Sequence, residues 1–345
     1  MTHIDDRPRL SLALQGGGAH GAYGWGVLDR LLDEDLPIVT VSGASAGALN
    51  GAALVSGLVE GGRPGAKAAL ERLWRGVSRR SPLRAFDFDM YWAGPLFEPV
   101  LRRSIELSKL FGRYVAPLSP DLRDMRALRG VVADSIDLST LAAPQAVPLH
   151  IAATRVSSGA ARLFKGGEIT LDSLMASACL PELFGPVEIE GECYWDGGFS
   201  ANPALEPLIF DGHGQSDLLI VQITPFLTKE TPDTLVEVMT RMSDIGFNAC
   251  LLRDLKALTE VQAIARQAPP ITDKFTALAD TNLHLMEAPH ALAERGPSGK
   301  SDTRWSQLEA LRDLGRATAD AWLRDNAGSF GRASTLTALP EAVAA

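Results

Sequence analysis

The chain has 345 residues, 46% of them hydrophobic, enough for one large domain or one domain with a sizeable insertion. Its formal net charge of -9 argues against general nucleic-acid binding. The three cysteines, Cys179, Cys193 and Cys250, are too few and too scattered for a disulfide framework or a metal site, so a reducing compartment is expected.

The N-terminus, Met1 to Asp6, has no basic stretch followed by an apolar one, so no secretory signal is read there. Leu10 to Gln15 reads as a short apolar strand running into Gly16-Gly17-Gly18 and then a helix from about Ala19 to Asp33. A second strand, Ile38-Val39-Thr40-Val41, leads into Gly43-Ala44-Ser45-Ala46-Gly47 and a small-residue helix from Ala46 to Val59. That helix is shorter than the ~20 residues of a membrane span and contains Asn50 and Ser56, so it is expected to be buried in protein. These features together predict a soluble, cytoplasmic protein.

Gly61 to Gly65 marks a break. From 63 to 130 the composition changes: fourteen Lys/Arg against seven Asp/Glu, a net +7 inside a chain of -9, interleaved with Trp74, Phe86, Phe88, Tyr91, Trp92, Phe97, Phe111 and Tyr114. Arginines suit phosphate oxygens and aromatic rings suit the head-group boundary, so this helical, basic insertion is the expected place of peripheral membrane contact. The competing reading is a solvated helix face whose aromatics pack on the core.

Further on, Val147 to Val156 and Ala161 to Lys165 form a predicted hairpin, and Leu171 to Cys179 a helix that stops before Pro181. A second hairpin, Val187 to Trp195 with Gly191 in its turn, ends in Asp196-Gly197-Gly198. Asp217 to Thr224 reads as a buried strand, Pro232 to Arg266 as a long helix, Leu283 to Met286 as a last strand and Asp302 to Leu323 as an amphipathic helix. The chain from Asn326 is expected to fray, with 331–345 a disordered tail and 1–330 a single domain. Strands alternating with helices predict an α/β layer architecture.

The chemistry centres on the G-x-S-x-G turn. Between a strand and a helix, this pattern holds a serine in a strained backbone position with its hydroxyl exposed and a helix N-terminus behind it, which makes Ser45 the candidate nucleophile. A serine needs a base and donors for the oxyanion. Gly16, Gly17 and Gly18 can turn successive N–H groups into one concavity and supply such donors. The same residues fit Gly16-x-Gly18-x-x-Gly21, a dinucleotide pattern, but the second strand ends in the serine turn and not in the acidic residue that pattern needs. For the base, Asp196 at a strand end before two glycines competes with its reading as a plain turn residue. A triad would use His213, His284 or His290 in its place, and His150 reads as structural.

Gly16-Gly17-Gly18-Ala19-His20-Gly21, Gly43-Ala44-Ser45-Ala46-Gly47 and Asp196-Gly197-Gly198 occur in the order found in patatin-like phospholipases, and the chain resembles a bacterial member of that family from about Leu10 to Leu205. The resemblance implies a three-layer sandwich with a mixed, mainly parallel central sheet. It implies a Ser–Asp dyad, with Ser45 as nucleophile and Asp196 as general base. The oxyanion hole would be formed by Gly16, Gly17 and Gly18, helped by the N–H of Ala46. The implied activity is lipid acyl hydrolysis of a phospholipid or similar ester, with neither metal nor other cofactor. The chain departs from the pattern at His20, where the family commonly carries a basic residue, often arginine. A dyad requires direct approach of carboxylate to hydroxyl, and partial burial makes an aspartate a stronger base; Trp195 and Phe199 are the expected apolar surround. The alternatives are a non-catalytic lipid- or nucleotide-binding protein on the same scaffold, or the same chemistry on a polyester or with an alcohol as acceptor.

Overall fold

Short leucine- and valine-rich runs become the strands of one eight-stranded sheet, in a computed structural model that describes residues 7–80, 125–181, 183–211, 217–228, 231–294, 299–336 and 339. The strands are β1 (Leu10–Leu14), β2 (Ile38–Ala44), β3 (Leu149–Arg155), β4 (Ala161–Lys165), β5 (Val187–Ile189), β6 (Glu192–Asp196), β7 (Asp217–Val221) and β8 (Asn282–Met286). Their order is β5-β6-β3-β2-β1-β7-β8, with β4 also paired to β3. β3, β2, β1, β7 and β8 run parallel, whereas β4 and β6 are antiparallel to β3, and β5 to β6.

The helices are α1 (Gly21–Leu31), α2 (Ala46–Arg80), α3 (Arg126–Ser135), α4 (Leu171–Ser177), α5 (Glu206–Phe210), α6 (Leu235–Ala265), α7 (Asp273–Asp280), α8 (His290–Ala293) and α9 (Trp305–Asn326). They form two layers, as strand alternation requires. Leu12, Leu14, Leu219 and Val221 join one core with residues of α1, α2, α3, α4 and α9. Ala13, Leu218, Ile220, Leu283 and Leu285 face the other way, onto Leu208, Leu251, Leu255 and Leu278 of α5, α6 and α7. All five residues of β1 and of β7 are buried, because both sheet faces are covered.

The predicted break is real but small. Gly61 and Gly62 leave helical geometry inside α2, Gly62 with φ +60°. The arm beyond them returns onto the core, where Ala66, Ala69, Leu70, Leu73 and Trp74 are buried. In the stretch expected to meet membrane, Trp74 is therefore inside, and Arg72, Arg75 and Arg80 pair with Glu60, Glu71 and Asp134. Residues 81–124, with the seven other aromatics of that stretch, lie outside the described residues, as does His213.

α9 lies along α1 at close range. A Cβ on Gly26 would stand 2.9 Å from Arg312 Cα, and one on Gly315 2.9 Å from Val27 N. Beyond α9, Gly331 N–H donates to Asp217 Oδ2 (2.7 Å), and the N–H groups of Thr335 and Leu336 donate to Leu283 O (3.1 and 3.0 Å). These contacts tie the start of the expected tail to β7 and β8. Among the described residues, no helix is long and apolar enough to cross a membrane.

Candidate active site

β2 ends at Ala44, and Ser45 turns the chain into α2 with φ +53°, in the left-handed region that costs a side-chain-bearing residue roughly 1–2 kcal/mol. Its N–H donates to Ser177 Oγ (3.0 Å) and its carbonyl accepts from Leu49 N–H (3.1 Å), the first closure of the helix. The flanking glycines answer to close approach. A Cβ on Gly43 would stand 2.5 Å from Gly47 O. A Cβ on Gly47 would stand 2.7 Å from the Leu14 carbonyl carbon and 2.8 Å from Gln15 O. The helix start is thus pressed against the end of β1, which a side chain at 47 would prevent.

Asp196 reaches the same place from the other direction. Backbone groups of successive residues in β3 point to opposite edges. Val41 N–H reaches Pro148 O and Val156 N–H reaches Cys193 O, both at even positions, whereas Arg155 N–H reaches Ala160 O. β2 and β6 therefore share one edge of β3, end to end, and β4 holds the other. Ala44 pairs with Ala152, and Asp196 with Ala153. The two C-terminal ends meet about one strand step, ~3.4 Å, apart along β3, so Ser45 and Asp196 leave the sheet at one point.

The carboxylate is held rather than loose. Asp196 is fully buried, its N–H donates to Cys179 O (2.8 Å), its carbonyl accepts from Thr154 Oγ1 (2.7 Å), and Oδ1 accepts from Gly198 N–H (2.8 Å). Gly197 is needed for the approach to β3: a Cβ there would lie 2.6 Å from the Ala152 carbonyl carbon. Burial, and secondarily the charge of Asp196, push the neighbouring Cys179 thiol up to about 12. The expected apolar surround is different in kind. Trp195 points to the opposite face of β6 and packs on the main core, and Phe199 stands edge-on to Phe247 (5.0 Å between centroids) at 38% exposure. The bonds that hold Asp196 come from the backbone of Cys179 and Gly198 and from the Thr154 hydroxyl.

The glycine run follows β1, beside the serine turn: a Cβ on Gly16 would stand 2.6 Å from Ser45 Cβ, and one on Gly21 2.5 Å from Ala46 Cβ. Gly18 adopts φ +59°. Of the expected donors, Gly16 already gives its N–H to Asn202 Oδ1 (2.7 Å). Gly17, Gly18 and Ala46 are the remaining backbone donors of the set. His20 is buried and makes no side-chain cap to α1.

Of the triad candidates, His284 and His290 lie among the described residues. His284 is buried in β8, bonded to Asp217 Oδ1 (2.9 Å) and Thr335 Oγ1 (3.0 Å); His290 is exposed; His150 is buried within β3. Among the described residues, no group of three His, Cys, Asp or Glu is placed to hold a metal ion.

Three buried polar residues hold this site and were not singled out from the sequence. Gln15 Oε1 accepts from Ile223 and Thr224 N–H (2.7 and 2.8 Å), and its Nε2 donates to Asn248 Oδ1 (2.9 Å). Asn202 also donates from Nδ2 to Phe247 O (3.1 Å). Ser177 holds the Ser45 amide. A glutamine closing an apolar strand is a readable signal of a buried polar role; nothing separates Ser177 or Asn202 from other serines and asparagines.

The fold and this site define an α/β protein with a strained serine turn at the carboxyl ends of its central strands. A profile of the patatin-like phospholipase family matches residues 12–209, more than half of the chain, and the chain belongs to that family. Its members are lipid acyl hydrolases as a class. Among solved structures, VipD from Legionella pneumophila is similar over 91% of this chain and 67% of that one, at 15% identity and a TM-score of 0.40. No curated protein sequence matches the chain significantly.

Proposed function

We propose that the protein is a serine carboxylic ester hydrolase that cleaves lipid acyl esters, phospholipids among them, with Ser45 as nucleophile and Asp196 as general base. The observation that carries this reading is the end-to-end meeting of β2 and β6 on one edge of β3, which delivers a left-handed serine and a buried aspartate to one point. Asp196 takes the Ser45 proton as Oγ bonds to the ester carbonyl carbon. The carbonyl oxygen becomes an anion and is received by the N–H groups of Gly17, Gly18 and Ala46, with the start of α2 adding its positive dipole end. Gly16, held by Asn202, sets the loop rather than donating. Collapse breaks the ester C–O bond, the proton passes from Asp196 to the leaving alkoxide, and acyl-Ser45 remains. A water deprotonated by Asp196 then bonds to the acyl carbon, the Ser45 Oγ–acyl bond breaks, the proton passes from Asp196 back to Oγ, and the fatty acid leaves.

An acyl chain as substrate is supported by apolar side chains exposed on or next to α6. Leu227, Leu235, Met242 and Ile245 are 61%, 56%, 62% and 53% exposed, on or beside the helix whose Phe247 packs against Gly198. We take this face, rather than the paired arginines of 63–80, as the side that meets a lipid surface. The test is a panel of short-chain aryl esters and phospholipids with wild type, Ser45→Ala and Asp196→Asn, together with fluorophosphonate labelling. Labelling and turnover should vanish in Ser45→Ala, and turnover should fall at least ~10²-fold in Asp196→Asn. Full turnover in either variant refutes the dyad; absent labelling with retained lipid binding would make the protein a binding module.

A further inference from the structure

Residues beyond the family-matched segment close over the glycine loop. The three-residue turn Gly299–Ser301 lies against Gly18, where a Cβ would stand 2.6 Å from Lys300 O. No side chain separates the two backbones, and Gly18 is in the left-handed region at φ +59°. The Lys300 side chain then runs to Asp244 Oδ1 (2.5 Å) and Thr224 Oγ1 (3.2 Å). Lys300 and Asp244 keep only 26% and 22% of their side-chain exposure. One of the two anchors, Thr224, also belongs to the floor of the loop. A Cβ on Gly17 would meet Ile223 Cγ2 at 2.8 Å and Thr224 Oγ1 at 3.6 Å, and the Thr224 N–H is bonded to Gln15. Asp244 and Asn248 lie four residues apart, on one side of α6. Asn248 holds Gln15 at the start of the loop while Asp244 holds Lys300 over its end.

From this arrangement we infer that Lys300 is a positioning residue for the oxyanion loop: its ammonium pins the 299–301 turn to α6 and to the end of β7, and the turn fixes the Gly17–Gly18 peptide by backbone contact. The inference rests on the hydrolase reading above. Oxyanion donors work only when aimed at the transition-state oxygen, and each is worth ~10²–10³ in rate, so a loop free to drift by about 1 Å loses much of that factor. The ion pair itself is partly solvated, so its loss should leave global stability nearly unchanged.

The test compares Lys300→Met, Lys300→Arg, Asp244→Asn and the double variant Lys300→Met/Asp244→Asn in the full chain, with Ser45→Ala alongside. Turnover of a soluble short-chain aryl ester is one readout, and amide hydrogen exchange of a peptide spanning 15–22 is the other. Lys300→Met should lower kcat roughly 10- to 100-fold with KM within about twofold, and speed exchange in that peptide about 10-fold while the melting temperature holds. Lys300→Arg should recover kcat to within about threefold, and the double variant should be no worse than the poorer single one. Unchanged exchange in Lys300→Met refutes the pin. Faster exchange with unchanged kcat refutes the positioning role, and so does a loss of kcat that arginine does not restore. Full activity in Ser45→Ala would instead overturn the hydrolase reading, while the exchange data would still decide whether Lys300 holds the loop.

Discussion

One chemical change, glycine to alanine inside a helix, should have opposite signs at two positions of this protein. By propensity alone, Ala gains about 1 kcal/mol over Gly in a helix interior, and part of that gain comes from restricting the unfolded chain. Gly246 lies exposed in α6, and a Cβ there meets nothing within 4 Å. Gly246→Ala should therefore stabilise by about 0.4–1 kcal/mol. Gly47 lies in the first turn of α2, where a Cβ would be 2.7 Å from the Leu14 carbonyl carbon and 2.8 Å from Gln15 O. Both neighbours are backbone of the strand that feeds the oxyanion loop, so no side-chain rotation relieves the clash. Overpacking costs typically 1–3 kcal/mol, and main-chain neighbours put this site at the upper end; after the propensity gain a net loss of about 2 kcal/mol remains. With an m-value near 3 kcal/mol/M in urea, the midpoint should drop by about 0.7 M for Gly47→Ala and rise by about 0.2 M for Gly246→Ala. Ester turnover should fall sharply in the first, because Ser45 and the Ala46 amide move with the helix start, and stay unchanged in the second. A Gly47→Ala protein with an unaltered or raised midpoint would refute the claim that this helix is pressed against β1.

Asn202→Ala strands one buried backbone donor, the Gly16 N–H, and removes a second bond from the Phe247 carbonyl, which keeps its helical partner; it should cost about 1–3 kcal/mol in urea denaturation and lower ester turnover. Cys179, with its thiol pushed up to about 12, should resist alkylation at pH 8, whereas the partly exposed Cys193 should react; mass mapping after iodoacetamide distinguishes them, and rapid labelling of Cys179 in folded protein would contradict its burial. Met242→Glu with Ile245→Glu should cut hydrolysis of phosphatidylcholine vesicles at least about 10-fold and spare a soluble aryl ester; equal effects on both would remove this helix face from lipid contact.

Local sequence determined the elements and marked the candidate residues. Strand, turn and helix around Ser45 were legible because β-branched and apolar runs, two glycines and a small-residue helix each impose a backbone preference within a few residues. The Asp-Gly-Gly end of β6 was legible as a candidate for the same reason, but not its role. That the ends of β2 and β6 come together follows from their sharing one edge of β3, a pairing between segments some 150 residues apart that no local preference encodes. Tertiary packing also decided which glycine keeps its N–H, since Asn202 takes that of Gly16. It turned the arm 63–80 inward on Leu70, Leu73 and Trp74, where composition had left open both a lipid-facing stretch and a helix packed on the core. It brought Lys300, Asp244 and Asn248 around a loop that lies more than two hundred residues earlier in the chain. Propensity and motif act over one element. Register, burial and the pairing of polar groups are settled only when distant elements compete for the same water-free space.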